Sequence, residues 1–461
     1  MQSNRVLVLD SQGQNSLAVT RTLGANGVSV TAGGTNRYLP GMLSRYSDDR
    51  FVYPDPATDH SAFVDSLANH LEGHEYAAVL PLTDLTTSLL SANKERLEAT
   101  GTRVGAEDYD TFRRANDKGR LFEAAADLDV PTPETWVPES MGDVTAIDER
   151  RSTEVVIKPR RTTVTEDSGS SSTNRLSASN YVGTDEDLLD RFESLLANAP
   201  QLRERLPLVQ EVVDGEDTKC TVGIADDGEL LAHFQHEKFR VYPPSGGIGA
   251  VRQGIREPKM REYARRVVEM LEWTGPFHVE FMQTPDDEFY LLEVNGRYWG
   301  STALTVNSGV DVPWLHYRQL RGDAVETRGG EYRTDVKQRK LFYHDLRWLR
   351  RKLSDGEYRA ALPFFGSFFS TREEFLDPTD PLPFLGLVPR TVDALTNRKR
   401  GQGVYGSTAT EGSDTEVATG TPTEAEPETA TGTPTEAEPE TATGTPTEAE
   451  PESRPEPRPG P

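Results

Sequence analysis

Two glutamates lie inside segments that otherwise have the pattern of buried strands. Glu280 sits in FHVEFM and Glu293 in FYLLEVN, and both segments are apolar, aromatic and rich in strand-forming residues. A carboxylate in such a place needs a partner, because burying an unpaired charge is very costly. The pair therefore indicates a nearby cation, either a metal ion or basic side chains from elsewhere in the chain.

The two segments are predicted to form a hairpin with its turn at residues 285–287. This pairing sets Glu280 opposite Glu293 and places His278 and Asn295 on the same face. The other face is expected to enter a core and comprises Val279, Phe281, Leu292 and Val294. Two carboxylates about 5 Å apart repel each other by roughly 3 kcal/mol at an effective dielectric constant near 20.

The ligand types in this hairpin select the ion. Oxygen atoms of Glu280, Glu293 and Asn295 favour a hard divalent cation, Mg²⁺ or Mn²⁺, over zinc. Magnesium held by only a few protein oxygens usually completes its shell with phosphates, so the site predicts a nucleotide. The alternative is an ordinary exposed hairpin whose glutamates pair with Arg or Lys.

The elements that must position these residues follow an α/β pattern. In residues 1–105, RVLVLD, VSVTAGG and AAVLPL have the composition of buried strands and are separated by helical segments, which predicts a doubly wound parallel sheet. Residues 106–325 continue with helices and strands, including the strand VVIKP, a Ser/Thr/Gly-rich loop after it and LVQEVV. Residues 326–400 are interpreted as a helical C-terminal extension.

Charge and composition limit the possible partners. The formal net charge is −25, and residues 401–461 hold 13 Asp or Glu against 2 Arg, a net −11 that leaves −14 for residues 1–400. Such a charge repels nucleic acid and anionic lipid, so neither is an expected partner, and the acidic surface is typical of a halophile. The near-repeats of EVATGTPTEAEP after residue 415 predict a disordered acidic Thr/Glu/Pro tail at 401–461.

The single cysteine and the apolar runs bear on location. Cys220 alone cannot form a disulfide framework, which fits a reducing compartment, and we interpret it as a buried structural thiol. The first apolar run is too short for a signal peptide, and no run of about 18 apolar residues occurs. A cytoplasmic protein is therefore expected.

Several features in chain order resemble the ATP-grasp superfamily. Glu280 followed by the E-x-N-x-R run from Glu293 to Arg297 is similar to that family's two metal-binding strands. Lys118, ahead of VPTP, resembles its first phosphate-binding lysine. Lys158, on a strand just before a flexible loop, resembles the second. Each lysine alone has an ordinary alternative, an exposed helix position for Lys118 and a strand-edge charge for Lys158.

The resemblance also implies how ATP is held. LVQEVVDGED is similar to the family's adenine-binding linker, which places Gln210 near the exocyclic amine, the backbone of Val213 beside the ring and Asp217 at the ribose. Lys238 and Arg240, in HEKFRVYPPSGGIG, are candidates for the γ-phosphate, and the sequence does not decide between them. The implied fold is α/β: a doubly wound domain at 1–105, then a two-lobed ATP-grasp domain with antiparallel sheets at 106–325, its lid at about 120–210.

The function implied by the resemblance is ligation. Such enzymes use ATP to phosphorylate a carboxylate to an acyl phosphate, which an amine then displaces with release of phosphate. Arg297 is the candidate for gripping the acyl phosphate or the substrate carboxylate. This chemistry depends on positioning and charge neutralisation rather than on a nucleophilic side chain. Two alternatives remain: a bicarbonate-activating carboxylase or carbamoyl-phosphate-type enzyme, and a non-catalytic ATP-binding assembly protein.

Overall fold

The computed structural model describes most of the chain before residue 388. The described residues are 3–161, 163–165, 171–173, 178–215, 217–242, 248–327 and 330–387. The expected acidic tail and much of the Ser/Thr/Gly-rich loop after Lys158 lie outside them. Within these ranges, every helix is too short or too polar to traverse a lipid bilayer.

The first sheet is parallel and helices connect its strands. Its elements are β1 (Arg5–Val8), α1 (Gln14–Ala25), β2 (Ser29–Gly34), α2 (Pro40–Leu43), β3 (Asp49–Val52), α3 (His60–Glu72), β4 (Ala78–Leu80), α4 (Asp84–Ala92), α5 (Lys94–Glu98) and β5 (Arg103–Val104). The strand order is β3-β2-β1-β4-β5 with all neighbours parallel. The predicted doubly wound N-terminal sheet is confirmed. Its central strand is apolar without alternation because both faces are covered.

The second sheet is small and antiparallel. The segment that contains it comprises α6 (Tyr109–Asn116), α7 (Lys118–Ala125), β6 (Thr135–Trp136), α8 (Met141–Asp148), β7 (Val155–Lys158), β8 (Thr163–Thr165), β9 (Ser171–Thr173), β10 (Tyr181–Val182), α9 (Leu188–Asn198) and β11 (Leu208–Glu211). The sheet order is β10-β7-β11-β6, and β8 pairs only with β9 among the described strands. Helices α8 and α9 cover the sheet through an apolar cluster of their own.

The third sheet has seven strands and carries the predicted hairpin. Its segment comprises β12 (Asp217–Asp226), β13 (Glu229–Tyr242), β14 (Ile248–Ile255), α10 (Pro258–Met270), β15 (Gly275–Gln283), β16 (Phe289–Asn295), α11 (Thr302–Asn307), α12 (Val312–Leu320), β17 (Lys337–Arg339), α13 (Leu346–Ser354), α14 (Ala361–Gly366) and β18 (Thr371–Glu373). The order is β16-β15-β12-β13-β14-β17-β18, and only the β17–β18 pair is parallel.

The sequence led us to expect a helical extension after residue 326, but this segment also contains strands. A π-helical turn at Leu341–Asp345 leads into α13, but β17 and β18 add two strands to the edge of the large sheet. Three residues are too few to give a readable strand alternation, and β17 exists because β14 offers an edge to pair with.

Two apolar cores lie on opposite faces of the large sheet. One contains Phe277, Val279 and Phe281 with residues of α7 and α10. The other joins Val222 and Phe234 of the sheet to β1, β4, α11 and α12, so the N-terminal sheet and the large sheet share a core. The polar residues of the hairpin lie on this second face, where the two sheets meet.

Candidate active site

The predicted register is confirmed where it matters and shifts beyond that point. His278 pairs with Asn295, Val279 with Val294 and Glu280 with Glu293. A bulge after Glu280 then moves the pairing by one residue, so that Leu291 and not Leu292 joins the core cluster. The expectation for Leu292 was wrong because strand alternation assumes a regular ladder.

The two glutamates form a buried site neutralised by lysines. Glu280 is 0% and Glu293 3% exposed. Lys118 Nζ lies 2.9 Å from Glu293 Oε2, and Lys238 Nζ lies 3.8 Å from Glu280 Oε1. Burial by itself would raise the pKa of the Glu293 carboxyl, but the Lys118 ammonium and a hydrogen bond from Asn295 outweigh it and keep the pKa well below its ordinary value. The alternative of an exposed hairpin is therefore wrong, although lysines do pair with these glutamates.

The donor set fits a hard cation. Two buried carboxylates face each other across adjacent strands, and a divalent ion is the partner that would neutralise both. Asn295 donates from Nδ2 to Glu293 Oε1 at 2.9 Å, and its Oδ1 accepts from Arg297 Nη2 at 3.2 Å. Coordination through Oδ1 therefore requires a half-turn of the amide. The ligand role of Asn295 stays a prediction.

A helix break delivers Lys118 to this cluster. Helical patterns cover residues 108–128 of the sequence, and the structure divides them at Asp117, which ends α6 and caps α7 by accepting from the backbone N–H of Gly119 at 3.1 Å. Arg205 Nη1 holds the other carboxylate oxygen of Asp117 at 3.0 Å. Lys118 thus occupies the first turn of α7 and reaches Glu293.

Lys158 is buried at the end of β7. Its Nζ donates to Gln210 Oε1 at 2.6 Å, and Gln210 Nε2 donates to Thr135 Oγ1 at 2.8 Å. Desolvation, assisted by the charge of Lys118, lowers the pKa of Lys158 to about 8. The strand-edge alternative is excluded because β7 is an inner strand and the ammonium points into the protein.

Arg297 is clamped by the N-terminal domain. Its Nε and Nη2 donate to the two carboxylate oxygens of Asp84 at 2.6 and 2.9 Å, and Nη1 donates to the Tyr298 carbonyl at 3.0 Å. Sequence reasoning missed Asp84, which follows β4 at the carboxyl edge of the parallel sheet. Its position is the signal that could have found it, because ligands bind at that edge in open α/β sheets.

A family comparison agrees with this geometry. The family model described as "ATP-grasp in the biosynthetic pathway with Ter operon" matches residues 208–341, less than a third of the chain. The matched segment runs from β11 to the π-helical turn and contains the hairpin with Glu280 and Glu293. This part of the chain is therefore similar to an ATP-grasp family.

Solved structures extend the fold assignment. The biotin carboxylase domain of 2-oxoglutarate carboxylase from Hydrogenobacter thermophilus is 14% identical with a TM-score of 0.57, covering 73% of this chain and 74% of that one. The L-amino acid ligase from Bacillus licheniformis is 15% identical with a TM-score of 0.52 (73% and 79%). N5-carboxyaminoimidazole ribonucleotide synthetase from Thermus thermophilus is 16% identical with a TM-score of 0.52 (70% and 79%). These identities establish the shared fold alone. A sequence comparison with curated proteins gave no match.

Within the segment that matches the family model, the two candidates for the γ-phosphate have different partners. Lys238 belongs to the carboxylate cluster, whereas Arg240 Nη1 pairs with Asp345 at 2.5 Å and its guanidinium stacks 4.4 Å from the Trp348 ring. Arg339 Nη1 also lies 3.6 Å from Asp345 Oδ2. These contacts favour Lys238 as the phosphate ligand and give Arg240 a place in packing the C-terminal extension.

Asp345→Asn is expected to lower the free energy of unfolding by about 3 to 5 kcal/mol, since two buried arginines would lose their shared carboxylate. Urea unfolding measures the change. Asp335→Asn is the matched control, because its partner Arg333 is 62% exposed and such pairs contribute at most about 1 kcal/mol. Equal free energies of unfolding for both variants would show that the pairs of Asp345 with Arg240 and Arg339 do not stabilise the fold.

The linker predicted to hold adenine packs tightly on the hairpin. A side chain at Gly215 would place its Cβ 2.4 Å from Met282 Cγ, so only glycine lets the linker approach β15 this closely. Val213 is half-buried in this linker. Asp217 begins β12 opposite Gln283, but its side chain lies outside the described part of the chain. The adenine and ribose roles of Gln210, Val213 and Asp217 stay predictions.

Further buried side chains share the polar face of the large sheet. Cys220 pairs with Glu280 on one side and with His236 on the other, and Arg252 pairs with Lys238. The sequence pattern gave no role to His236 or Arg252, although alternation along FQHEK already places His236 on the face of Lys238.

Two histidines on this face are uncharged near neutral pH. Burial, followed by the charge of Arg297, lowers the pKa of His278 to about 3. Burial, followed by the charge of Arg252, lowers the pKa of His236 well below its ordinary value. Each imidazole therefore keeps one ring nitrogen with a lone pair.

A large cavity lies away from this chemistry. Its volume is about 1140 Å³, and its lining includes Tyr76, Lys94, Arg103 and His316. The described residues that line it include neither Glu280 nor Glu293. We place the candidate active site at the carboxylates, because converging buried charges rather than volume indicate a functional site.

Proposed function

We propose that the protein is an ATP-dependent, ADP-forming ligase that phosphorylates a carboxylate and joins the resulting acyl phosphate to an amine. The observation that carries the proposal is the buried, opposed pair Glu280 and Glu293 with Lys118 and Lys238 converging on it. The L-amino acid ligase and the N5-carboxyaminoimidazole ribonucleotide synthetase share the fold and support this reaction class. A cytoplasmic location, expected from the single cysteine, stays a prediction.

Charge neutralisation is the first requirement of the reaction. Glu280 and Glu293, with Asn295, would hold Mg²⁺, which neutralises β- and γ-phosphate charge when bound. Lys118 and Lys158 would exchange their protein partners for phosphate oxygens, and Lys238 would lie beside the γ-phosphate. Three ammonium groups on separate elements suit a transition state whose charge is spread over several oxygens.

The chemistry proceeds in two displacements. A carboxylate oxygen of the substrate attacks the γ-phosphorus, the bond to the bridging oxygen breaks, and ADP leaves. The amine nitrogen then attacks the acyl carbon, the carbon–oxygen bond to phosphate breaks, and the nitrogen releases its proton to solvent. Arg297, held rigid by Asp84, is placed to bind the acyl phosphate or the substrate carboxylate.

Oxygen transfer from the acid tests this mechanism. Carboxylate–amine pairs are screened for ADP release, and the active acid is then supplied with ¹⁸O in its carboxyl group. One ¹⁸O atom must appear in the released phosphate. ADP release without ¹⁸O in phosphate would overturn the acyl phosphate route. A bicarbonate arm without an organic acid addresses the carboxylase alternative, which the likeness to the biotin carboxylase domain favours. MgATP binding without turnover in any arm would favour the assembly-protein alternative.

Asp84→Asn is expected to lower kcat about tenfold while the KM for ATP stays within about twofold, because Arg297 loses its bidentate partner and its fixed orientation. Steady-state kinetics with the active acid measure both constants. Asp65→Asn is the matched control on the same domain, since its pair with Arg96 is exposed. Unchanged kcat in Asp84→Asn would show that the clamp does not position Arg297 for the reaction.

A further inference from the structure

We propose that Cys220, His236 and His278 bind one zinc-like divalent ion, at a site distinct from the predicted magnesium site of Glu280 and Glu293. The three residues lie on the adjacent strands β12, β13 and β15. Each offers one ligand atom, a sulfur or a ring nitrogen, and these atoms all lie within 4.8 Å of one another. The proposal does not depend on the ligase reaction.

The spacing suits a tetrahedral ion after a small adjustment. Zinc binds thiolate at about 2.3 Å and imidazole at about 2.0 to 2.1 Å, which sets the ligand atoms of a tetrahedral site roughly 3.3 to 3.6 Å apart. Side-chain movements of about 1 Å or less would bring the three ligand atoms to these separations. Cross-strand pairing already places Cys220 opposite His236, and His278 lies on the neighbouring strand β15, opposite Val222.

His236 is held in the way that metal-binding histidines are held. Its Nε2 lies 2.8 Å from Ser301 Oγ, whereas its buried Nδ1 has no hydrogen-bond partner among the described residues. Leaving a buried ring nitrogen without a hydrogen-bond partner destabilises the folded state, and an ion at this nitrogen would remove that cost. A metal-binding histidine usually has a hydrogen-bond partner on one ring nitrogen and the metal on the other.

The ligand types separate the two sites. One thiolate and two imidazoles favour zinc over magnesium, whereas paired carboxylates favour magnesium. Three protein ligands leave a fourth position for water. Ion binding would displace the Cys220 thiol proton to solvent, so affinity should rise with pH.

His278 connects the two sites. Its Nδ1 lies 3.2 Å from the Asn295 amide nitrogen, which leaves Nε2 for the ion. Coordination at Nε2 places the ring proton on Nδ1, and a half-turn of the Asn295 amide would turn Oδ1 to accept it. The same half-turn would present Oδ1 toward Glu293, so occupancy of one site should affect the other.

Cobalt is the probe, because its thiolate complexes absorb in the near ultraviolet. Co²⁺ is titrated into the full chain with excess Mg²⁺ present, and we expect one Co²⁺ per chain, a thiolate charge-transfer band and displacement by Zn²⁺. Cys220→Ser should abolish the band. His236→Asn should weaken Co²⁺ binding at least about tenfold. His233→Asn is the matched control, a buried histidine on the same strand outside the cluster.

Thermal melting shows whether each variant is folded and whether Co²⁺ stabilises it. Co²⁺ should raise the Tm of the wild type and of His233→Asn, and at the same Co²⁺ concentration should raise the Tm of His236→Asn less. A wild type without a charge-transfer band overturns the proposal. A band that persists in Cys220→Ser, or equal Co²⁺ affinity of His236→Asn and the wild type, overturns it as well.

Discussion

Glu293→Gln is expected to lower turnover at least about hundredfold, because the neutral amide removes one of the two negative charges that would hold magnesium. Loss of mere supporting partners around a metal already costs about ten- to hundredfold, so loss of a ligand sets that range as a minimum. Stability should also fall by a few kcal/mol, since Lys118 loses its buried partner at 2.9 Å. ADP release and urea unfolding measure the two effects.

A second substitution separates activity from stability in this variant. Combining Glu293→Gln with Lys118→Met removes both members of the buried pair, so stability should recover while turnover does not. Glu288→Gln is the matched control in the same hairpin, where the carboxylate pairs with the exposed Lys259. Wild-type turnover in Glu293→Gln would sink the metal assignment.

Lys158→Met is expected to weaken MgATP binding roughly ten- to hundredfold. Methionine keeps the apolar stem of the side chain and removes the charge, and one charge-assisted contact to phosphate is worth about 1.5 to 3 kcal/mol. Isothermal titration of MgATP into both proteins measures the difference. Equal dissociation constants would mean that Lys158 serves only its contact with Gln210.

The lowered pKa of Lys158 adds a pH signature. Desolvation brings this pKa to about 8, so the ammonium is charged below that pH and neutral above it. Phosphate binds the charged form, and the Kd for MgATP should therefore be constant below pH about 8 and rise up to about tenfold per pH unit above it. In Lys158→Met this rise should disappear. A flat wild-type profile would show that the lysine keeps its charge.

The hairpin shows how far local patterns reach. Side chains alternate along a strand, so a turn at 285–287 is enough to set Glu280 opposite Glu293 and to predict a hard-cation site. Lys118 and Lys158 were predicted from the resemblance to the ATP-grasp superfamily, since Lys118 lies ahead of VPTP and Lys158 lies on a strand just before a flexible loop. The bulge that moves Leu291 into the core in place of Leu292 has no such local signal.

Other features depended on contacts between distant residues. Asp84 lies 213 positions before Arg297. Arg240 pairs with Asp345, which belongs to a segment whose strands form only at the edge of the large sheet. No spacing rule connects such pairs, because their distance depends on how two sheets pack.

The sequence by itself therefore determined the α/β class and the opposed carboxylates, and its resemblance to the ATP-grasp superfamily indicated Lys118 and Lys158. The tertiary structure decided that Asp84 holds Arg297 and that Lys238 rather than Arg240 joins the carboxylates. It also decided that Cys220, His236 and His278 lie close together. The physical reason is that strand parity and chain breaks act over a few residues. The order β15-β12-β13, which brings that cysteine and those histidines together, is set by the fold of the whole sheet.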